Sequence, residues 1–382
     1  MAGGIPETIG RMAISHGIDS YIAVGRQNGK SASHTISIGN KADTAVHWAA
    51  TRLADRHGLH SRHATRRFIT AAERLDPDII HLHNIHGYYL HYPTLFEWLR
   101  GTGKPVVWTL HDCWSLTGHC AFFNAASCER WLTECHHCPL RGEYPASWLA
   151  DRSAANHAIK RKVFTSMTDM TLVCVGRWLD SVVARSYLGH LPRRVIGNGI
   201  DTALFHPCAP KASAPLILGV ASHWEPRKGL DTFLRLRREL PDSWRMRLIG
   251  LDDKQRKQMP GGIEAFGRTG SVRELAAHYS EASVFVNASL AEGNCVTKME
   301  ALACGTPVVT YDAGGAGEDI PSDAGAVVAP GRFDLLRDAV QAAACGAYSA
   351  EACRAAAIAH FDMHTTLENY FNLYTDLLSP RP

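Results

Sequence analysis

Short apolar runs alternate with longer stretches of helical periodicity along almost the whole chain. Ile79 to Leu82, Val106 to Leu110, Thr171 to Val175, Leu216 to Ala221, Arg247 to Gly250, Ser283 to Asn287, Val308 to Tyr311 and Gly325 to Val328 are such runs, bounded by turn-forming or polar residues. Continuous rather than alternating apolar character predicts strands buried on both faces, as in parallel sheets. Between them, Gly4 to His16 reads as a helix with Pro6 in its first turn, ahead of a strand at Asp19 to Val24. Helical character also covers residues 43–75, Val272 to Ser280, the alanine-rich 333–360, and 361–378, whose aromatic stripe marks a core-packing face. This alternation predicts an α/β fold with doubly wound sheets. In such sheets ligands sit at the carboxyl ends of strands, where helix N-termini point.

One strand-loop-helix-strand-loop unit, Asn287 to Glu318, carries the densest candidate chemistry. A helix beginning near Asn294 to Val296 offers amides without intrahelical partners and the positive end of its dipole. These suit a phosphate, and Gly293 lets a ligand approach the backbone. Gly293, Asn294, Cys295 and Val296 are therefore candidate donor-binding positions. Glu292, in the loop before the helix, and Glu300, eight positions on, can each accept hydrogen bonds from sugar hydroxyls. A second loop, His223 to Gly229, follows the strand Leu216 to Ala221 and holds Arg227 and Lys228. Two adjacent cations there suit charge developing on a diphosphate.

The first half of the chain contributes histidines at strand ends. His81, His83 and His86 follow Ile79-Ile80, and His111-Asp112 ends the next strand. A lone strand-end histidine is more often structural, but this grouping points to a site. Residues 113–140 add Cys120, Cys128, Cys135 and Cys138, ending in a C-x2-C half-site. That spacing predicts a structural zinc site of four thiolates, against free buried thiols or a disulfide pair. Cys113, His119, His136 and His137 are spare ligands.

Size and composition narrow the class. The 382 residues suffice for two domains, here placed at 1–207 with 361–382 and at 208–360, with Cys208 to Pro215 as a linker. With 46% hydrophobic and 20% charged residues the chain reads as globular, and no apolar run is long enough to cross a bilayer. MAGGIPETIG has neither the basic start nor the apolar core of a signal peptide. A cytoplasmic location is expected, and the eleven cysteines then read as thiols or metal ligands. Residues 1–207 hold 22 Lys/Arg against 16 Asp/Glu, a net of +6, while residues 208–382 are net −3. A basic first half is compatible with an anionic lipid surface or a phosphorylated acceptor. No basic run is interleaved with aromatics, so nucleic acid is not expected as a partner.

The full stretch from Asn287 to Glu318, with Glu292, Glu300, the string EALACGTPVV and Gly314-Gly315 followed by Glu318, resembles the E-x7-E signature of family 4 retaining glycosyltransferases. The string from Asn198 to Pro207 matches the same family. The resemblance covers nearly the whole chain from Gly4. It implies the GT-B architecture: two facing Rossmann-like domains, with a C-terminal helix returning to the first. It also implies transfer from a nucleotide-sugar donor to a saccharide or lipid-linked saccharide acceptor, with no cofactor required for catalysis. By resemblance Glu292 touches the donor sugar, Glu300 the ribose, and His111 faces the sugar across the interdomain cleft. His86, Asp112 and Gly4 fall on the acceptor side. The residues around His111 and the cysteine insert, through Tyr144-Pro145, look like a subgroup making colanic acid and related exopolysaccharides, and peripheral inner-membrane contact goes with that.

The chain departs from the family at three places. Gly176 stands where serine is usual. His223 replaces an early basic residue, so Arg227 is expected to substitute. The apolar strand before the first helix is missing, leaving Gly3-Gly4 of its loop, which reads as a start further upstream or a truncation. Two other readings stay open: an inactive, zinc-stabilised binding subunit, and a GT-B epimerase or phosphorylase.

Overall fold

The structure, a computed structural model, describes residues 4–26 and 29–379. Its strands are β1 (Tyr21–Val24), β2 (His34–Ser37), β3 (Ile80–Leu82), β4 (Val106–Leu110), β5 (Met170–Cys174), β6 (Arg193–Val195), β7 (Leu216–Val220), β8 (Arg245–Ile249), β9 (Ile263–Phe266), β10 (Val284–Asn287), β11 (Val308–Tyr311) and β12 (Gly325–Val328). All pairings between them are parallel. The strands that the sequence did not announce are β2, β6 and β9. Each has one hydrogen-bonded neighbour and is half exposed, so none needs the continuous apolar run of a central strand.

The chain divides into one unit of Met1–Ile196 with Leu367–Pro382 and another of Gly197–Thr366. In the first, a sheet of order β3-β4-β5-β6 stands beside the β1-β2 pair. Strands β4 and β5 are buried at every position. Trp108 and Leu110 pack with Tyr92, Leu95, Phe96 and Leu99 of the helix Tyr92–Thr102, and with Phe164 of the helix Ser153–Phe164. The last helix, Met363–Leu378, returns to this unit. Its stripe is a packing face, as its periodicity predicts: the Tyr370 hydroxyl lies 3.2 Å from Thr109 Oγ1, and the Tyr374 hydroxyl 2.6 Å from His81 Nδ1.

The second unit holds one sheet of order β12-β11-β10-β7-β8-β9. Alternate residues of β7 serve two separate cores. Leu216 and Leu218 face the helices Val272–Glu281, Val296–Ala303 and Ala350–Phe361, whereas Ile217 faces Leu230–Glu239 and Phe333–Ala344. The sheet is therefore covered on both sides, with β7 and β10 as neighbours whose following helices leave to opposite faces. That is the topological switch point of a Rossmann-like sheet.

Three expectations are corrected. Residues 43–75 form two helices, Lys41–Ala54 and Arg62–Leu75, because Asp55 adopts a left-handed conformation after the first. The stretch 333–360 likewise breaks at Gly346, with φ +86. Cys208 to Pro215 is no free linker: Lys211 donates to the carbonyls of Ala282 and Gly305 and to Thr306 Oγ1, tying the segment to the sheet's end. Gly3 lies outside the described residues.

Asn198-Gly199 reads as a turn, and the structure adds a reason for the glycine. A Cβ at Gly199 would meet the Met363 Cα at 2.7 Å and Thr366 Oγ1 at 2.7 Å, because Ile200 is bridged to Asp362 and bonded to Phe361 and Met363 through the backbone. Gly199→Ala is expected to cost about 1–3 kcal/mol through overpacking, seen as a lower urea midpoint.

Candidate active site

Two loops meet at the switch point. The loop after β7 turns at Gly229, whose φ of +71 and 2.2 Å Cβ approach to the Ala288 carbonyl oxygen leave space for no other residue. The loop after β10 runs from Ala288 to Cys295 into the helix Val296–Ala303. They are stitched together: Leu290 N donates to Arg227 O at 2.8 Å, and Arg227 Nη1 donates to Ala291 O at 2.6 Å. Lys228 Nζ donates to Glu292 Oε1 at 2.5 Å, with Arg227 Nη1 3.8 Å from the other oxygen. Arg227 Nη2 also reaches Glu225 Oε1 at 2.6 Å. Two cations, Arg227 and Lys228, thus face two carboxylates, Glu225 and Glu292, and the cluster is neutralised internally.

The glycine loop after β11 closes onto the same place. Glu292 N donates to Ala313 O at 3.0 Å and Gly315 N returns to Glu292 O at 2.9 Å. A Cβ on Gly315 would stand 2.1 Å from the Gly293 carbonyl oxygen, which explains glycine there in packing terms. Lys298, fully buried in the helix after Glu292, donates to the carbonyls of Gly315 and Glu318 at 3.0 and 2.5 Å. It holds this loop in place, a role its sequence neighbours give no sign of. Cys295 is the N-cap residue of the helix without a capping side-chain bond, and its thiol contacts Thr297 Oγ1 at 3.2 Å. Gly293, Asn294, Cys295 and Val296 therefore do lie together at a helix start beside Lys228 and Glu292.

Glu300, on the next turns of that helix, is buried and accepts from the Tyr279 hydroxyl at 2.8 Å. Tyr279, also fully buried, is a partner that only the crossover from the preceding helix supplies. His223 does not stand alone either: Arg268 Nη2 lies 3.0 Å from its Nε2 and donates to Ser222 O. A guanidinium from the segment after β9 thus reaches the loop in which the sequence lacks its early basic residue.

In the first unit, the ends of β3 and β4 bring the histidines together. His83 Nδ1 lies 3.1 Å from His111 Nε2 and the rings stack at 5.4 Å. His86 Nε2 pairs with Asp112 Oδ2 at 3.2 Å, while Trp114 N donates to Asp112 Oδ1. Burial pushes His111 down to about 4 although Asp112 opposes it, so the imidazole is neutral at physiological pH. Burial would raise Asp112, but His86 and the Trp114 amide outweigh it and keep it ionised. Gly4 is the exposed N-cap of the helix Ile5–Ser15. His83, which the sequence offered only as one of the strand-end histidines, is the one that meets His111.

The cysteine insert encloses a cavity of its own. Cys120, Cys128, Cys135 and Cys138 line one narrow cavity with His119 and His136. Yet among the described residues no group of three or more His, Cys, Asp or Glu is placed to hold a metal ion. Cys135 Sγ accepts instead from Gly118 N at 3.2 Å, and His119 Nδ1 from its own partner Asp55 stands at 2.6 Å. The insert is held by packing of Phe123 on Trp131 and by the buried Lys160, which donates to the carbonyls of Trp114 and Thr117.

Two parallel, Rossmann-like sheets with a ligand loop at a switch point define a GT-B glycosyltransferase. The chain belongs to Glycosyltransferase Family 4, whose model matches residues 7–204, and residues 214–344 match the model of glycosyl transferases group 1. It is 27% identical to WcaC of Escherichia coli (strain K12), named as a colanic acid biosynthesis glycosyl transferase, over 98% of this chain and 96% of that one. It is 32% identical to the GDP-mannose-dependent alpha-(1-6)-phosphatidylinositol monomannoside mannosyltransferase of Mycolicibacterium smegmatis, over 48% of this chain and 52% of that one. Among solved structures, sucrose-phosphate synthase from Thermosynechococcus elongatus shares the fold, with a TM-score of 0.69 at 17% identity, over 97% of this chain and 92% of that one.

Burial raises the Glu300 carboxyl to about 7, which the Tyr279 hydroxyl only partly offsets. Between 4.5 and 7 the folded protein keeps a proton that the unfolded chain has released, so this group makes stability fall as pH rises through that window. Glu300→Gln cannot ionise and is expected to remove this contribution. Urea midpoints of wild type and variant across the window check the difference.

Proposed function

We propose that this glycosyltransferase moves a sugar from a nucleotide-sugar to a hydroxyl of a lipid-linked saccharide, with retention, in exopolysaccharide or cell-surface polysaccharide synthesis at the cytoplasmic face of the membrane. The observation that carries the reading is the Lys228–Glu292 pair at the switch point, beside the first amides of the helix Val296–Ala303. A diphosphate arriving there competes with Glu292 for Lys228. The ammonium shifts to the phosphate oxygens, and the freed carboxylate accepts hydroxyls of the donor sugar. Arg227, held by Ala291 and Glu225, adds fixed positive potential. These groups, with the amides from Gly293 to Val296, stabilise charge on the leaving diphosphate. Glu300, with Tyr279 bonded to one oxygen, keeps the other for the ribose.

On the acceptor domain, His111 is assigned to the reacting sugar as a neutral hydrogen-bonding group, with His86, Asp112 and Gly4 on the acceptor side. In a same-face displacement the acceptor oxygen bonds to the anomeric carbon as its bond to the phosphate oxygen breaks. The acceptor proton passes to that phosphate oxygen. Likeness to a relative named for colanic acid biosynthesis supports the polysaccharide role. Likeness to a mannosyltransferase named for a phosphatidylinositol-linked acceptor supports the lipid-linked one.

A thermal-shift screen of nucleotide-sugars finds the donor, since a ligand bound to the folded state raises its apparent stability. With that donor, nuclear magnetic resonance of the product is expected to show the donor's anomeric configuration, and an inverted product overturns the retaining mechanism. Lys228→Met and Glu292→Ala are each expected to lower kcat/KM by about 10²-fold or more while the folded signal persists. Full activity in Glu292→Ala removes the donor-site assignment.

A further inference from the structure

The two loops at the switch point hold two cations but no net charge. Arg227 and Lys228 face Glu225 and Glu292, so the four groups cancel. Both terminal nitrogens of the Arg227 guanidinium are engaged, Nη2 by Glu225 Oε1 and Nη1 by Ala291 O, each at 2.6 Å. Arg227, which the sequence offers as the substitute for the missing early basic residue, is thereby a staple between the loops. A diphosphate needs positive potential in excess of what the neighbouring carboxylates cancel.

A third cation reaches the loop after β7 from two strands away. Arg268 follows the end of β9 and is exposed. Its Nη2 donates to Ser222 O at 3.2 Å and lies 3.0 Å from His223 Nε2, where that loop begins. A guanidinium can only donate, so Nε2 of His223 accepts and its ring proton sits on Nδ1. Among the described residues no carboxylate pairs with Arg268. The carboxylates of the loop after β8 are engaged elsewhere. Asp252 accepts from Gln255 N at 2.8 Å, and Asp253 pairs with Arg256.

The backbone beneath Arg268 is fixed. Ala221 N donates to Ile249 O at 3.1 Å, Gly250 N to Phe266 O and Gly267 O at 3.1 Å, and Leu251 N to Phe266 O at 3.0 Å. Gly250, at φ +95, would bring a Cβ to 1.7 Å from the Ala221 carbonyl oxygen, so the ends of β7 and β8 touch. Buried Trp224 donates through Nε1 to Ile249 O at 2.9 Å, and its own carbonyl accepts from Gln255 Nε2 at 2.7 Å. The carboxyl ends of β7, β8 and β9 are thus tied into one ledge. Because these strands are parallel neighbours, Arg268 stands on the same edge of the sheet as Lys228. A cation held in place before the ligand arrives needs no rearrangement to meet it.

We propose that Arg268, held against Ser222 and His223, is a donor-binding residue that contacts the diphosphate of the nucleotide-sugar. It supplies the uncompensated charge that Arg227, tied to Glu225, does not. Ser222 and His223 both meet Nη2, so the remaining N–H groups of the fork are those that donate to phosphate oxygens. This assignment rests on the nucleotide-sugar reading above.

The test is calorimetric titration of the full chain with UDP, GDP, ADP and dTDP, in wild type, Arg268→Met and the double variant His223→Arg/Arg268→Met. Wild type is expected to bind at least one of these nucleotides. Arg268→Met is expected to bind the same nucleotide about tenfold or more weakly, at an unchanged melting temperature because the side chain is exposed. The double variant carries its guanidinium on the loop itself and is expected to regain most of the lost affinity. A residue that merely braces the loop would not be replaced in this way, so weakened binding that the double variant fails to restore overturns the proposal. Equal binding by wild type and Arg268→Met overturns it too, and leaves the nucleotide-sugar reading standing. Wild type that binds none of the four nucleotides removes that reading, and the assignment of Arg268 falls with it.

Discussion

Everything at the donor site depends on β7 and β10 being neighbours whose crossovers leave to opposite faces of the sheet. The two loops therefore leave neighbouring strand ends and are hydrogen-bonded to each other through Arg227, Leu290 and Ala291. The sheet can hold this arrangement because both faces are sealed. Leu216 and Leu218 go to one core, Ile217 to the other, and all three are fully buried. At roughly 1.5–3 kcal/mol for each large apolar side chain removed from water, such strands stabilise a site that is itself made of poorly compensated polar groups.

The polar groups at these loops are arranged to balance one another. Lys228 and Glu292 neutralise each other across the gap, and Lys298 neutralises loop carbonyls beneath it. Glu300 has no cation beside it, and burial lifts its carboxyl to about 7. The two glutamates of the E-x7-E pattern thus sit in opposite electrostatic settings, one ion-paired and one held near neutrality by burial. The same chemical residue serves two purposes because its surroundings differ.

In the first unit the balance is struck without cations. His81, His83 and His111 form a stack at the ends of β3 and β4 in which burial keeps His81 and His111 neutral at ordinary pH. His81 is anchored on both nitrogens by Tyr374 and Thr109, so the C-terminal helix reaches back to steady the strand end that carries the candidate residues.

Much of this was legible in the sequence. Central strands announced themselves because burial on both faces demands continuous apolar runs. The strand, glycine loops and helix of Asn287 to Glu318 announced themselves because their glycines and apolar runs follow one another at short spacing. Edge strands β2, β6 and β9 stayed hidden because half exposure tolerates polar residues. C-x2-C sets only how far apart two thiols are along the chain, and it is the fold that brings Cys120 and Cys128 to the same cavity. Tyr279 on Glu300, His83 on His111 and Arg268 beside His223 were equally out of reach. Sequence by itself determined the alternation of elements and the local chemistry of each loop, since both depend on neighbours within a few residues. Only the tertiary structure decided which side chains meet and which carboxyl is buried, because those depend on contacts between segments far apart in the chain.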